Sequence, residues 1–274
     1  MEPHADRAGG PAPLALVTGA SRGIGLAVAR RLAEAGWRTA AVARDPARLD
    51  AAVADAAAGG LRLEPCPADV TSEQSVAALF DRLHALGPVQ VCVNCAGVNL
   101  SMPLIRAAPG ADAATPGGEP LGHPLAEWER IIRLCLTGVF LVGRQAAAAM
   151  VGAAVPGVIV NISSAVRHGA RGQSAYTAAK SGVDALTRTW SLELARHGIR
   201  VVGVAPGVVD GAALREKAAA DPRHAARMER LRTRVPLGRW AREDEVADAV
   251  CFAVANDYVT GTVIEVHGGG VPDH

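Results

Sequence analysis

Residues 14–35 read LALVTGASRGIGLAVARRLAEA, and this stretch decides the fold. Leu14 to Thr18 form a continuous apolar run, the pattern of a strand buried on both faces. From Ile24 to Ala35 the apolar residues recur at helical spacing, and Gly36 supplies a stop. Between strand and helix lies a turn containing Gly19, Gly23 and Gly25. A glycine turn in that position suits a dinucleotide pyrophosphate. Gly19 permits the tight turn, Gly23 lets the backbone approach the phosphates, and Gly25 lets helix and strand pack closely. The helix N-terminus adds unpaired N–H groups and the positive end of its dipole. The spacing is not G-x-G-x-x-G, so the turn by itself also fits a plain strand-to-helix connection.

The same alternation continues along the chain. Short apolar runs at 38–43, 61–65, 89–93, 158–162, 199–204 and 262–266 read as six further strands. Helical patterns separate them: one opened by Pro46 at its first position, one from Thr71 with Gln74 as a capping box, one over about 124–150, one over 173–196 and one near 243–255. Strands alternating with helices of this length imply a seven-stranded parallel sheet covered on both faces, a doubly wound, Rossmann-like α/β fold. The expectation is a single dinucleotide-binding domain over 13–274, after a disordered tail at 1–12. Two segments break the pattern, an inserted loop at 99–123 and the stretch 208–240. Both follow carboxyl ends of strands, where ligands bind in this architecture. The first reads equally as a substrate-side flap and as a solvated insertion.

Composition narrows the function. Of 274 residues half are apolar, and 28 basic residues nearly balance 27 acidic ones. A net charge of +1 excludes a dedicated nucleic-acid binder. No run reaches the roughly 18 to 20 consecutive apolar residues of a membrane span, so no membrane association is expected. The N-terminus lacks a signal peptide's basic start and apolar run. Five cysteines, an odd number, do not suggest a disulfide framework. Cys92 and Cys95 form a C-x-x-C with no second pair, and they read as core thiols in a reducing cytoplasm. The eight histidines show no ligand spacing, so no catalytic metal is expected. The basic residues include only two lysines, Lys180 and Lys217, and the chain has only two tyrosines, Tyr176 and Tyr258. One of each stands four positions apart.

Taken together, T-G-A-S-R-G-I-G (18–25), Asp69-Val70, N-C-A-G (94–97), Ser163-Ser164, Y-T-A-A-K (176–180) and A-P-G (205–207) resemble the short-chain dehydrogenase/reductase family over residues 14–270. The segments around 236–247 and 259–269 look most like its 3-oxoacyl-thioester reductase and hydroxysteroid dehydrogenase branch. The resemblance implies a nicotinamide cofactor. Gly19, Ser21, Arg22, Gly23, Ile24 and Gly25 would form its turn, with Asp69 and Val70 at the adenine. Asn94, Ala96 and Gly97 would line it, and Pro206, Gly207 and Val209 would hold the nicotinamide end. NAD-selective members carry an acid at the end of the second strand, but here Ala43 is followed by Arg44. Arg22 and Arg44 suit a 2′-phosphate, which favours NADP(H), although Asp45 is placed to offset Arg44.

In such an enzyme a small-molecule ketone is reduced to an alcohol, and the alkoxide needs a proton. A tyrosine supplies it if its pKa falls from about 10, and a lysine one helical turn along favours tyrosinate. Tyr176 and Lys180 meet this requirement. The family's serine has two candidates. Ser164 fits the strand register from Asn161, and Ser163 fits the spacing to Tyr176. Ser164 is preferred because a deletion is absorbed more easily in a loop than in a buried strand. Two departures stand out. Cys135 replaces an asparagine that holds a relay water, so an active enzyme with a weaker proton relay is expected. Gly211 replaces a threonine near the nicotinamide carboxamide. The resemblance implies that the basic stretch 211–239 lies in a substrate lid over 208–240. Its charge fits either an anionic substrate or a solvated, ion-paired helix pair. The opposite reaction, alcohol oxidation, and a weakened NADP(H)-binding regulator are the competing functions. Apolar residues on the fourth and fifth helices (Ile132, Leu136, Phe140, Val183, Leu186, Trp190, Leu194) lead to an expected homodimer or homotetramer.

Overall fold

The computed structural model describes residues 13–99, 101–106 and 121–270. The tail 1–12 and the middle of the 99–123 insertion lie outside them. The sheet is built from β1 (Leu14–Thr18), β2 (Arg38–Ala43), β3 (Leu63–Pro67), β4 (Val89–Asn94), β7 (Gly157–Ile162), β8 (Ile199–Pro206) and β9 (Val263–Val266). Its order is β3-β2-β1-β4-β7-β8-β9, with every pairing parallel. Both faces are covered, which is why β1 has no polar alternation: Ala15 and Val17 enter one core and Leu14 and Leu16 the other. The first core packs under α1 (Gly23–Glu34), α2 (Pro46–Ala58) and α9 (Glu243–Ala255). The second packs under α3 (Glu73–His84), α5 (Gly138–Gly152) and α6 (Ser174–Leu194).

The chain order reverses between β1 and β4, and a crevice opens at their carboxyl ends. Thr18 ties the two ends together. Its hydroxyl donates to the Val93 carbonyl (3.3 Å) and accepts from the amides of Cys95 (3.0 Å) and Ala96 (3.1 Å).

Several local expectations are corrected. The third strand begins at Leu63 rather than Leu61. The α3 cap is Ser72, whose hydroxyl accepts from the Ser75 amide; Thr71 instead turns back to Asp69 Oδ1 through both its amide and its hydroxyl. The helix expected over 124–150 is three pieces, α4 (Leu125–Ile132), a π-helical turn (Arg133–Thr137) and α5. The run Leu125–Gly152 is long and apolar enough on average to cross a membrane, although Arg133 and Arg144 interrupt it and no 18 consecutive residues are apolar. Much of it is buried against the sheet, as in a core helix. Within 99–123 two short strands pair antiparallel, β5 (Ile105–Arg106) with β6 (Leu121–Gly122). The stretch 208–240 carries two exposed helices, α7 (Ala212–Ala220) and α8 (Pro222–Arg232).

Candidate active site

The glycine turn closes on itself because no side chain fits there. A Cβ at Gly25 would lie 2.3 Å from the Gly19 carbonyl oxygen, and one at Gly19 would lie 2.9 Å from Ala96 Cα. Gly19 and Gly23 both adopt positive φ, +70° and +64°, which a glycine tolerates without strain. Arg22, the last residue before α1, is exposed and pairs with Glu216 of α7 at 3.3 Å. Arg44 lies exposed at the end of β2 and makes no ion pair among the described residues. The expected offset by Asp45 is weakened, since Asp45 caps α2 and pairs with Arg48 at 3.3 Å.

Across the crevice, Asn94 is buried at the end of β4. Its amide donates to Asn161 Oδ1 (2.9 Å), and Asn161 in turn donates to Thr187 (3.0 Å). Asn94 Oδ1 is buried without a hydrogen-bond partner. Gly97 sits close to both Cys135 Sγ and Lys180 Nζ, within 4 Å of where its Cβ would be. At the end of β8, Val209 bridges to Ala241, and Gly207 lies against His267. These features fit a dinucleotide: a backbone cradle, exposed guanidinium groups beside it, and an orphaned buried acceptor at the end of β4.

The residues expected to react lie just after β7 and on α6. Ser164 follows β7 at the start of the loop to α6, and its hydroxyl accepts from the Val166 amide (3.3 Å) and lies near enough to Tyr176 to act on the phenol. Thr177 holds the same loop, donating to the Val166 carbonyl at 2.9 Å. Lys180 lies one turn after Tyr176, with Nζ 5.7 Å from the ring centroid and donating to the Ile162 carbonyl at 2.6 Å. Ser163 points the other way, is buried, and donates to Asp184. The structure thus brings Ser164, Tyr176 and Lys180 together and turns Ser163 away.

Electrostatics follow from this burial. The expected lowering of Tyr176 by Lys180 is corrected here: desolvation pushes the phenol well above the ordinary tyrosine range, with Cys135 and Cys95 adding to it and only the Ser164 hydroxyl opposing it. Desolvation also lowers Lys180, opposed by Cys135, Cys95 and Asp184. Cys92 and Cys95 are both pushed up to about 12 by burial, so neither is a reactive thiolate at neutral pH. Cys135 lies on the π-helical turn and its thiol donates weakly to the Val98 carbonyl at 3.6 Å.

Sequence reasoning missed Arg167 and Asp184, which form a buried ion pair at 2.8 Å behind Ser164. A signal was available for Asp184, which falls four residues after Lys180 on the buried face of α6.

The chain belongs to the short chain dehydrogenase family, whose pattern it matches over residues 13–222. It is 42% identical over 265 residues to cis-4-hydroxycyclohexanecarboxylate dehydrogenase of Sinomonas cyclohexanicum, covering 93% of this chain and 95% of that one. It is 32% identical over 258 residues to the 3-oxoacyl-[acyl-carrier-protein] reductase FabG of Thermotoga maritima, covering 93% and 96%. In structure it is similar to an actinorhodin polyketide ketoreductase variant solved with NADPH. The TM-score is 0.80 at 32% identity, over 94% of this chain and 97% of that one. The seven-stranded parallel sheet with helices on both faces is the family's fold, and the chain is an oxidoreductase acting on hydroxyl or keto groups.

Proposed function

We propose that this protein is an NADP(H)-dependent ketoreductase that converts a small ketone to a secondary alcohol. The observation carrying this reading is the grouping of Ser164 and Tyr176 with Lys180 one helical turn beyond, its Nζ 5.7 Å from the Tyr176 ring centroid, at the carboxyl edge of a sheet whose first turn is a tight glycine cradle. A nicotinamide bound there supplies the hydride. Tyr176 holds the proton that the product alkoxide takes, and burial keeps it on the phenol at neutral pH. The Ser164 hydroxyl orients the substrate oxygen, and Lys180 contributes positive charge from below. Gly19 to Gly25, with Ser21 and Ile24, would hold the pyrophosphate, Arg22 and Arg44 a 2′-phosphate, and Asp69 and Val70 the adenine. Asn94, Ala96, Gly97, Pro206, Gly207 and Val209 would line the rest. Arg44's freedom from Asp45 supports NADP(H) over NAD(H).

A second reading, oxidation of a cyclic secondary alcohol, is supported by the similarity to cis-4-hydroxycyclohexanecarboxylate dehydrogenase. Helices α7 and α8 would then form a lid over the substrate. Their arginines suit a carboxylate, although Arg215 is close to Asp210 (3.7 Å) and Arg232 pairs with Glu229. We place the enzyme in the cytoplasm, as its free thiols suggest, and assemble it as a dimer or tetramer through the partly exposed Leu136, Phe140 and Leu186.

The test is turnover by the pure protein against 4-oxocyclohexanecarboxylate, β-keto thioesters and cyclic ketones, each with NADPH and with NADH. Consumption of NADPH well ahead of NADH supports the proposal. Turnover confined to alcohols with NADP⁺ supports the second reading, and cofactor binding without any turnover overturns both.

A related prediction separates the serines. Ser164→Ala is expected to lower kcat by about 10²-fold or more, because a group bonded to the reacting oxygen is lost. Ser163→Ala is expected to keep the chemistry and chiefly reduce stability. The opposite ranking of kcat values would reassign the donor.

A further inference from the structure

Helix α6 presents Tyr176, Lys180 and Asp184 at successive four-residue intervals along one face. Lys180 and Asp184 are almost fully buried, as is Arg167 in the loop after β7. Each oxygen of Asp184 is engaged: Oδ1 accepts from Ser163, and Oδ2 receives Arg167 Nε at 2.8 Å. The rest of the guanidinium is also engaged. Nη1 donates to the Ser164 carbonyl at 3.3 Å, and Nη2 donates to Glu265 on β9, which in turn contacts His267 Nε2 at 3.0 Å. Ser181 donates to the Arg167 carbonyl, closing the loop onto α6. One guanidinium therefore joins the serine loop, the helix carrying Tyr176 and Lys180, and the last strand.

Burying an arginine and an aspartate is costly, and an apolar pair of similar volume would commonly serve stability as well or better. What an apolar pair cannot do is fix the loop and helix in one register through directional bonds. We propose that Arg167 and Asp184 are positioning residues, a buried clamp that holds the Ser164 hydroxyl in register with Tyr176 and Lys180. The inference rests on the reading of those three residues as the reacting groups. Asp184 acts on two of them at once. It holds Ser163, the neighbour of Ser164, and its negative charge lies one turn beyond Lys180.

The test compares Asp184→Asn, Arg167→Lys and the double variant Arg167→Met/Asp184→Leu in the full chain. The substrate is whichever ketone of the panel the unaltered protein reduces fastest with NADPH. The expected result is a kcat lower on the order of 10²-fold in Asp184→Asn, the scale of an ångström-sized misplacement. The NADPH dissociation constant, read by fluorescence, stays within about 2-fold, because the cofactor cradle is made elsewhere. Arg167→Lys keeps the charge but not the fork, and it is expected to rescue part of kcat. The double variant is decisive, since it is expected to match or exceed the parent in thermal stability while kcat stays low. A role confined to stability would instead return kcat together with the melting temperature. Parental kcat in the double variant, or in a folded Asp184→Asn, overturns the clamp. The Ser164→Ala control separates the two levels. If Ser164→Ala is fully active, or the parent reduces no ketone, it is the reading of the site that fails, and the clamp with it.

Discussion

Tyr176→Phe is expected to lower kcat for ketone reduction by about 10²- to 10⁴-fold, the range carried by a positioned general acid. NADPH binding and the fold should be nearly unchanged. The ring packs with Ile131, Cys135, Ala175 and Ala179, and phenylalanine keeps all of that contact. What disappears is the one phenolic proton placed against Ser164. The pH dependence has a sign that burial sets. Because desolvation raises the Tyr176 pKa, the phenol stays protonated through neutral pH, which is the form reduction consumes. Reduction should therefore hold a plateau at neutral pH and fall only as pH rises toward the phenol's own titration. Alcohol oxidation needs the proton gone and should rise over the same alkaline range. Profiles of kcat/KM in both directions check this, and Tyr176→Phe should remove both limbs. A variant retaining more than about a tenth of parental kcat would show that the proton comes from elsewhere.

What the chain discloses on inspection is set by how local each determinant is. The strands are legible because a strand buried on both faces must be almost wholly apolar: LALVT meets this outright, and VQVCV and IRVVGV meet it but for the partly exposed Gln90 and Arg200. Helix α9 is legible for a similar reason, since its apolar spacing and acidic first turn lie within its own 13 residues. Register is less visible: in LRLEP both Leu61 and Leu63 alternate correctly, and pairing with β2 starts the strand at Leu63. The π-helical turn at 133–137 has no local signature, because the apolar run RLCLT suits an α-helix equally. The Ser163/Ser164 choice turns on one residue of loop length, and the structure places only Ser164 beside Tyr176. Arg167 and Glu265 are 98 positions apart, so no window of sequence could join them. The helix pair α7–α8 shows plain ion pairs such as Arg232–Glu229, and its sequence carries no word about what it covers.

Gly25→Ala is expected to be the most damaging single methyl group in the molecule. An added Cβ would meet the Gly19 carbonyl oxygen at 2.3 Å, the Gly19 carbonyl carbon at 2.7 Å and Ala20 Cα at 3.2 Å. All three are backbone atoms, so no side chain can swing aside. Neither partner is free to retreat. Helix α1 is fixed by Val28, Ala29 and Leu32, all fully buried against the sheet and α9. Gly19 is itself pressed on Ala96, with the Thr18 hydroxyl bonding the next amides of that strand end. The helix must then tilt away from β1, at a cost of about 3 kcal/mol, the upper part of the usual overpacking range. The same tilt displaces the N-terminal amides of α1 that would face the phosphates, so NADPH affinity should fall further than stability does. Gly36→Ala is the matched control. Its φ of +86° imposes strain of about 1–2 kcal/mol, but nothing lies within 4 Å of the new Cβ, and the site is remote from the crevice. Denaturant unfolding and NADPH fluorescence titration on both variants separate the two effects. If Gly25→Ala binds NADPH as tightly as the parent, the contact between Gly25 and the Gly19 carbonyl does not set the cradle.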